Sequence, residues 1–329
     1  MAVLTVRFLQ YNINISSEGR LKNVDKESKS LAYISALLYA LIVGLSFLFT
    51  KVALSTSNPI DILAYRFIAS FLAISIPVLF KWVKASYTKE RIIKIIPLAL
   101  LYPLLFFGFQ TFGLMHATSS EAGIILASAP VFTMILASYF LKEKTNLYQK
   151  LSIIISVLGV LYIMIKKGSS IDLANFKGII LLVLSALSFS SYSIMARKLT
   201  KDFTSTELSY IMITISFIFF TGLSIIKHIV DGSISEFFIP LTNISFVISI
   251  LYLGVLSTLV TSLLTNYALS KLEASKMSVF GNLGTVISIV AGVIFLKEEI
   301  FYYHIIGSIL IIGGVIGTNF LDDEKITSR

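Results

Sequence analysis

Apolar residues in this chain fall in long blocks, not at the three- and four-residue spacing of a helix with one wet face. The blocks cover about 31–50, 62–80, 95–115, 122–141, 151–165, 178–196, 208–226, 246–269, 277–296 and 303–321. A hydrocarbon core about 30 Å thick takes roughly 20 apolar helical residues per crossing, because lipid offers no partner for an unpaired backbone group. The pattern predicts an all-α integral membrane protein of about ten transmembrane helices. Residues 1–30 and 322–329 are polar and read as tails; the first thirty lack the continuous apolar core of a cleaved signal peptide.

Composition supports this. The chain is 56% hydrophobic and 14% charged, with a mean hydropathy of +0.88, against roughly 25% charged in a soluble domain. The net charge of +9 does not point to nucleic acid, since Lys and Arg lie in short segments between apolar blocks, where they set membrane orientation. With the N-terminus inside, residues 7–29, 81–94, 142–150, 197–201, 271–276 and 325–329 carry most of the cations. The opposite side holds only Lys51, Lys166, Lys167, Lys177, Lys227 and Lys297. Both termini are therefore expected on the cytoplasmic side of the cell membrane, with Trp82 beside Lys81 as an interfacial anchor. The chain has no Cys, so disulfides and thiolate chemistry are excluded.

The chain repeats itself at an offset of 155 residues. Phe140-Leu141-Lys142-Glu143 returns as Phe295-Leu296-Lys297-Glu298, Leu114 as Leu269, Ser120 as Ser275, Tyr148 as Tyr303, and Gly159-Val160 as Gly314-Val315. More weakly, Ala40 and Lys51 match Ala186 and Arg197. Two five-helix units are expected, 31–166 and 167–321. Five crossings is odd, so the second unit runs inverted, the arrangement of many carriers.

Ala122-Gly123, Pro130-Val131-Phe132-Thr133 and Leu141-Lys142-Glu143 together resemble the fourth-helix pattern of the EamA family in the drug/metabolite transporter superfamily, with Glu298 closing the ninth-helix counterpart. Arg66-Phe67-Ile68-Ala69 is similar to that family's second-helix start, and Lys51 ends a first helix of similar type. The resemblance covers about 31–321. It implies ten helices, both termini inside, and efflux of amino acids or other small metabolites, in many members energised by protons. The ninth helix departs by having Thr285 where Pro130 sits in the fourth, so the two helices need not kink alike.

A charge inside a crossing costs several kcal/mol (about 2.5–3.5 on insertion scales) unless paired or hydrated. Arg66 lies about one turn into the second helix, where its stem could snorkel to the interface as an anchor, the reading favoured over an anion site. Glu121 opens the fourth helix, aligned with Lys276, and is open to a capping role or a gating and cation-recognition role. Glu143 and Glu298 read as interfacial charge pairs, and Asp61 and Glu207 as helix caps. His116, His228 and His304 lack ligand spacing, so no metal is expected. No phosphate-binding loop is present, so ATP does not drive this chain by itself.

In the eighth helix Gly254, Thr258, Ser262 and Asn266 recur every fourth residue on one stripe, widened by Thr261 and Thr265. Ser185, Ser188 and Tyr192 form another in the sixth helix, Ser278, Asn282 and Thr285 in the ninth, and Tyr102, Phe106 and Gln110 in the third. Ala32, Ala36, Ala40 and Gly44 read as close helix packing. The expected substrate set is Tyr102, Phe106, Gln110, Glu121, Ser188, Tyr192, Thr258, Ser262, Asn266 and Asn282. The reading is a secondary transporter, an exporter of small amphipathic metabolites that needs no cofactor; a proton as candidate coupling ion is what the resemblance implies. The alternatives are a membrane enzyme acting on a lipid-linked substrate, for which no catalytic cluster stands out, and a passive channel. Oligomeric state stays open; Gly313-x-x-x-Gly317 suits contact with a second protomer and contact within the chain equally.

Overall fold

A computed structural model describes residues 21–80, 88–142, 146–167, 173–297, 299 and 301–320. The expected tails beyond residues 21 and 320, Trp82, Glu143 and Glu298 lie outside the described residues, as do the side chains of Ser278 and His304. Every regular element among the described residues is helical. In chain order they are α1 (Leu21–Leu54), α2 (Pro59–Leu79), α3 (Lys89–Leu114), α4 (Ser119–Phe140), α5 (Leu147–Lys167), α6 (Leu173–Leu199), α7 (Ser205–Val230), α8 (Ile244–Lys271), α9 (Ala274–Leu296) and α10 (Tyr302–Phe320). A 3₁₀ segment, Ile234–Thr242, joins α7 to α8.

Seven of these helices, α1 to α4 and α6 to α8, are long and apolar enough to cross a membrane. The other three carry shorter apolar stretches, Leu147–Gly159, Phe280–Leu296 and Ile305–Gly314. Large apolar side chains such as Leu72, Leu79, Ile218, Ile226, Ile294 and Ile309 point outward, where lipid would accept them.

Local chemistry fixes the helix starts. The Asn58 side chain accepts from the Ile60 and Asp61 amides, and Pro59 opens α2 where a missing N–H costs nothing. Asn58, not Asp61, is thus the cap; the Asp61 carboxylate is left for tertiary bonds. Thr204 with Glu207 and Thr118 with Glu121 form capping boxes on α7 and α4. The structure adopts the capping geometry that was one of the two sequence readings of Glu121.

Three helices are irregular. Within α3 the turn Leu100–Leu105 holds Tyr102 in extended backbone (φ −144°, ψ 127°), as suits a residue preceding a proline, Pro103. In α8 the stretch Tyr252–Val260 is wound as a π-helix, with the Thr258 hydroxyl donating to the Leu253 carbonyl. The α4 helix breaks between Ser119–Leu126 and Ala129–Phe140, just before Pro130, whereas α9 runs unbroken past Thr285.

Helices pack in pairs that recur when five is added to each number. α1 lies on α9 and α6 on α4; α1 on α8 and α6 on α3; α2 on α8 and α7 on α3; α2 pairs with α7, α4 with α9, and α5 with α10. Small residues set the closest approaches. A Cβ on Gly44 of α1 would lie 2.7 Å from the Gly284 carbonyl of α9, and one on Gly254 of α8 2.7 Å from the Arg66 carbonyl of α2. In the Gly-x-x-x-Gly of α10, Gly313 faces open space, while its neighbour Gly314 presses on Ser152 of α5.

Candidate functional site

The centre of the bundle is a cluster of rings from both halves of the chain. Tyr102 sits 5.2 Å from Phe106, 5.3 Å from Phe107 and 4.6 Å from Tyr192, centroid to centroid. Phe189 touches Tyr102 and Phe106 and stacks on Tyr39 of α1. The extended turn at Tyr102 delivers that ring from the middle of α3, and the Ser185 hydroxyl locks α6 to the same turn by donating to the Phe106 carbonyl at 2.9 Å. Tyr102, Phe106 and Tyr192 are all buried.

A chain of polar groups runs from this cluster across three helices. The Tyr192 hydroxyl donates to Asn266 Oδ1 at 2.7 Å, Asn266 Nδ2 donates to Ser209 Oγ at 3.0 Å, and Ser262 donates to the same oxygen at 2.8 Å. The stripe on α8 is therefore split. Ser262 and Asn266 face α6 and α7, while Gly254 and Thr258 face α2, because the π-helical stretch has rotated the upper part.

Arg66 is where expectation and structure part. Its side chain turns inward and is wholly buried, not snorkelled to the interface. Nε donates to Thr258 Oγ1 at 2.7 Å, NH2 donates to Ser257 Oγ at 2.9 Å, and the guanidinium carbon lies 3.5 Å from the centre of the Phe107 ring. NH1 is buried with no hydrogen-bond partner. Among the described residues no carboxylate pairs with Arg66, and Asp61, the one acid on α2, accepts from Ser224 at 2.7 Å and Asn58 at 2.6 Å and lies 2.9 Å from His228 Nε2. The burial of Arg66 follows from the adjacent hydroxyls Ser257 and Thr258, which its own helix gives no hint of.

The structure thus brings Tyr102, Phe106, Tyr192, Thr258, Ser262 and Asn266 to one central region, with Gln110 buried one turn beyond Phe106. The other three are held elsewhere. Ser188 bonds back to the Leu184 carbonyl of its own helix, Asn282 donates to Ser156 of α5, and Glu121 is engaged at the start of α4. Sequence reasoning missed Arg66 as a central group, together with Tyr39, Phe107 and the Asp61–His228 pair.

The model of the EamA-like transporter family matches residues 30–165 and again 176–320. The uncharacterized transporter YcxC of Bacillus subtilis strain 168 is 48% identical over 304 residues, which span 92% of this chain and 97% of that protein. An uncharacterized transporter of Archaeoglobus fulgidus is 29% identical over 83% of this chain and 92% of its own length. A solved crystal structure, 15% identical, shares the fold with a TM-score of 0.70 over 90% of this chain and 98% of the other. The chain, a multi-pass membrane protein by its apolar helices, therefore belongs to the EamA-like transporter family.

Proposed function

We propose that the chain is a secondary transporter that exports small amphipathic metabolites, amino acids or related compounds, across the cytoplasmic membrane by alternating access. Ten crossings form two inverted five-helix repeats, 31–166 and 167–321, with both termini cytoplasmic and the substrate held at the ring cluster between them.

The observation that carries this reading is the recurrence of single interactions at matched positions of the two halves. Lys51 Nζ, at the end of α1, donates to the Leu114 carbonyl that ends α3; Arg197, at the end of α6, donates to the Leu269 carbonyl near the end of α8. Lys142 and Lys297, which are 155 apart, both close their helices in the left-handed conformation at φ 54° and 57°. Two halves with the same internal bonds can exchange conformations at little cost, and two such states open one site to either side in turn. Rings fill the centre in this conformation, which favours an occluding carrier over an open channel.

Opposite ends of α7 carry the contacts that would close each side. Glu207 pairs with Arg91 of α3 at 3.2 Å at one end, and His228 with Asp61 of α2 at 2.9 Å at the other. The orientation rule puts the first pair at the cytoplasmic face and the second at the outer face.

Export is tested by comparing metabolites in the medium of cells lacking and overproducing the chain. One species is expected to fall in the first and rise in the second. A medium unchanged in both directions, with the protein present in the membrane, contradicts export.

A further inference from the structure

We propose that Arg66 is the substrate-recognition group of the central site and that its ligand is the carboxylate of an amphipathic metabolite carrying a single negative head group. The proposal rests on the transporter reading above and deepens it by naming the substrate class.

The guanidinium offers five N–H donors in a fixed fork. Nε and NH2 are held by Thr258 and Ser257, and one face is covered by Phe107. That leaves NH1, buried and without a partner. Among the described residues no carboxylate pairs with this charge, and Asp61 is already engaged by His228, Ser224 and Asn58. A helix clamp would not need this arrangement. α2 and α8 are already joined by the Ser70 hydroxyl donating to the Gly254 carbonyl at 2.8 Å and by the close approach at Gly254. A neutral residue there would avoid the cost of burying a cation in hydrocarbon.

Position agrees with recognition. Arg66 reaches Thr258 half-way along α8, and Phe107, which its guanidinium covers, is 5.3 Å from Tyr102 in the ring cluster. A carboxylate accepting from NH1 would place the apolar part of the same molecule against Tyr102 and Tyr192. One uncompensated positive charge matches one negative charge, so a carboxylate fits and a doubly charged phosphate does not.

The test takes the species identified in the medium of cells overproducing the full chain and asks for its chemistry. A carboxylate-bearing compound with no phosphate is expected. Purified wild-type protein in detergent should be stabilised against heat by that compound and not by its methyl ester, which keeps the shape and loses the charge. Arg66→Gln should lower export on the order of tenfold or more, with Arg66→Lys retaining part of it, whereas Ser70→Ala, which removes only a helix contact, should export normally. An exported species without a carboxylate, equal stabilisation by acid and ester, or normal export by Arg66→Gln each overturns the proposal and leaves the carrier standing. No exported species at all overturns the carrier and this proposal with it. The acid–ester comparison uses only wild-type protein, so it decides even if the Arg66 variants fail to fold.

Discussion

Gly254→Ala is expected to lower stability by about 1–3 kcal/mol, the range for inserting a methyl group into a packed core. The added Cβ would lie 2.6 Å from the Ala69 side chain and 2.7 Å from the Arg66 carbonyl. One neighbour is backbone, so no rotamer change relieves it, and α8 must move off α2. That motion pulls Ser257 and Thr258 from the Arg66 guanidinium, so export should fall as well. Gly222→Ala in α7 is the matched control, since nothing lies within 4 Å of its Cβ position. There alanine should be neutral or favourable, by up to about 1 kcal/mol of helix propensity. Thermal unfolding of the two variants in one detergent separates them, and equal melting temperatures would mean that α2 and α8 do not approach as described.

Asp61→Ala should also destabilise strongly, by about 2 kcal/mol or more. Its carboxylate, buried between α2 and α7, is bonded to three side chains: His228 at 2.9 Å, Ser224 at 2.7 Å and Asn58 at 2.6 Å. Hydrogen bonds between membrane helices average about 0.6 kcal/mol and reach about 1.7; here two of them, to Ser224 and His228, are lost together with the bond to the helix cap Asn58, and the buried Ser224 hydroxyl and His228 Nε2 are left unpaired. Glu236→Ala, at an exposed position of the 3₁₀ segment, should cost little. A melting temperature for Asp61→Ala no lower than that of Glu236→Ala would remove the cluster from the account of stability.

Much of the helix inventory was legible because the apolar blocks are long; the caps were less so, since Asp61 and Glu207 read as caps in the sequence, whereas Asn58 and Thr204 hold the N-cap positions, with Glu207 as the other half of its capping box. The departure of Thr285 from Pro130 also told in advance that α4 and α9 need not bend alike, and only α4 is interrupted. The ring cluster was half legible. Tyr102 and Phe106 stand out by their four-residue spacing to Gln110, and Tyr192 by its place on a stripe with Ser185 and Ser188, but Tyr39 and Phe107 look like ordinary lipid-facing rings until α1 and α2 are placed. The stripe on α8 misled because four-residue spacing assumes a regular helix, and the π-helical Tyr252–Val260 turns its two ends toward different neighbours. Arg66 failed for a related reason. Depth along its own helix allows snorkelling, and only the hydroxyls of Ser257 and Thr258, nearly two hundred residues on, make the inward course the better one.

Alternating access is tested most directly by reaching the centre from both sides. The chain has no Cys of its own, so Gln110→Cys provides a single thiol, buried in the described conformation one turn from Phe106. A membrane-impermeant thiol reagent needs a water-exposed thiolate. The expected result is that Gln110→Cys reacts both in inside-out and in right-side-out vesicles. Leu72→Cys and Ile218→Cys, at outward-facing positions 59% and 64% exposed, should stay silent in lipid. Reaction from one side only, or none from either side, would contradict a site that opens in turn to both faces.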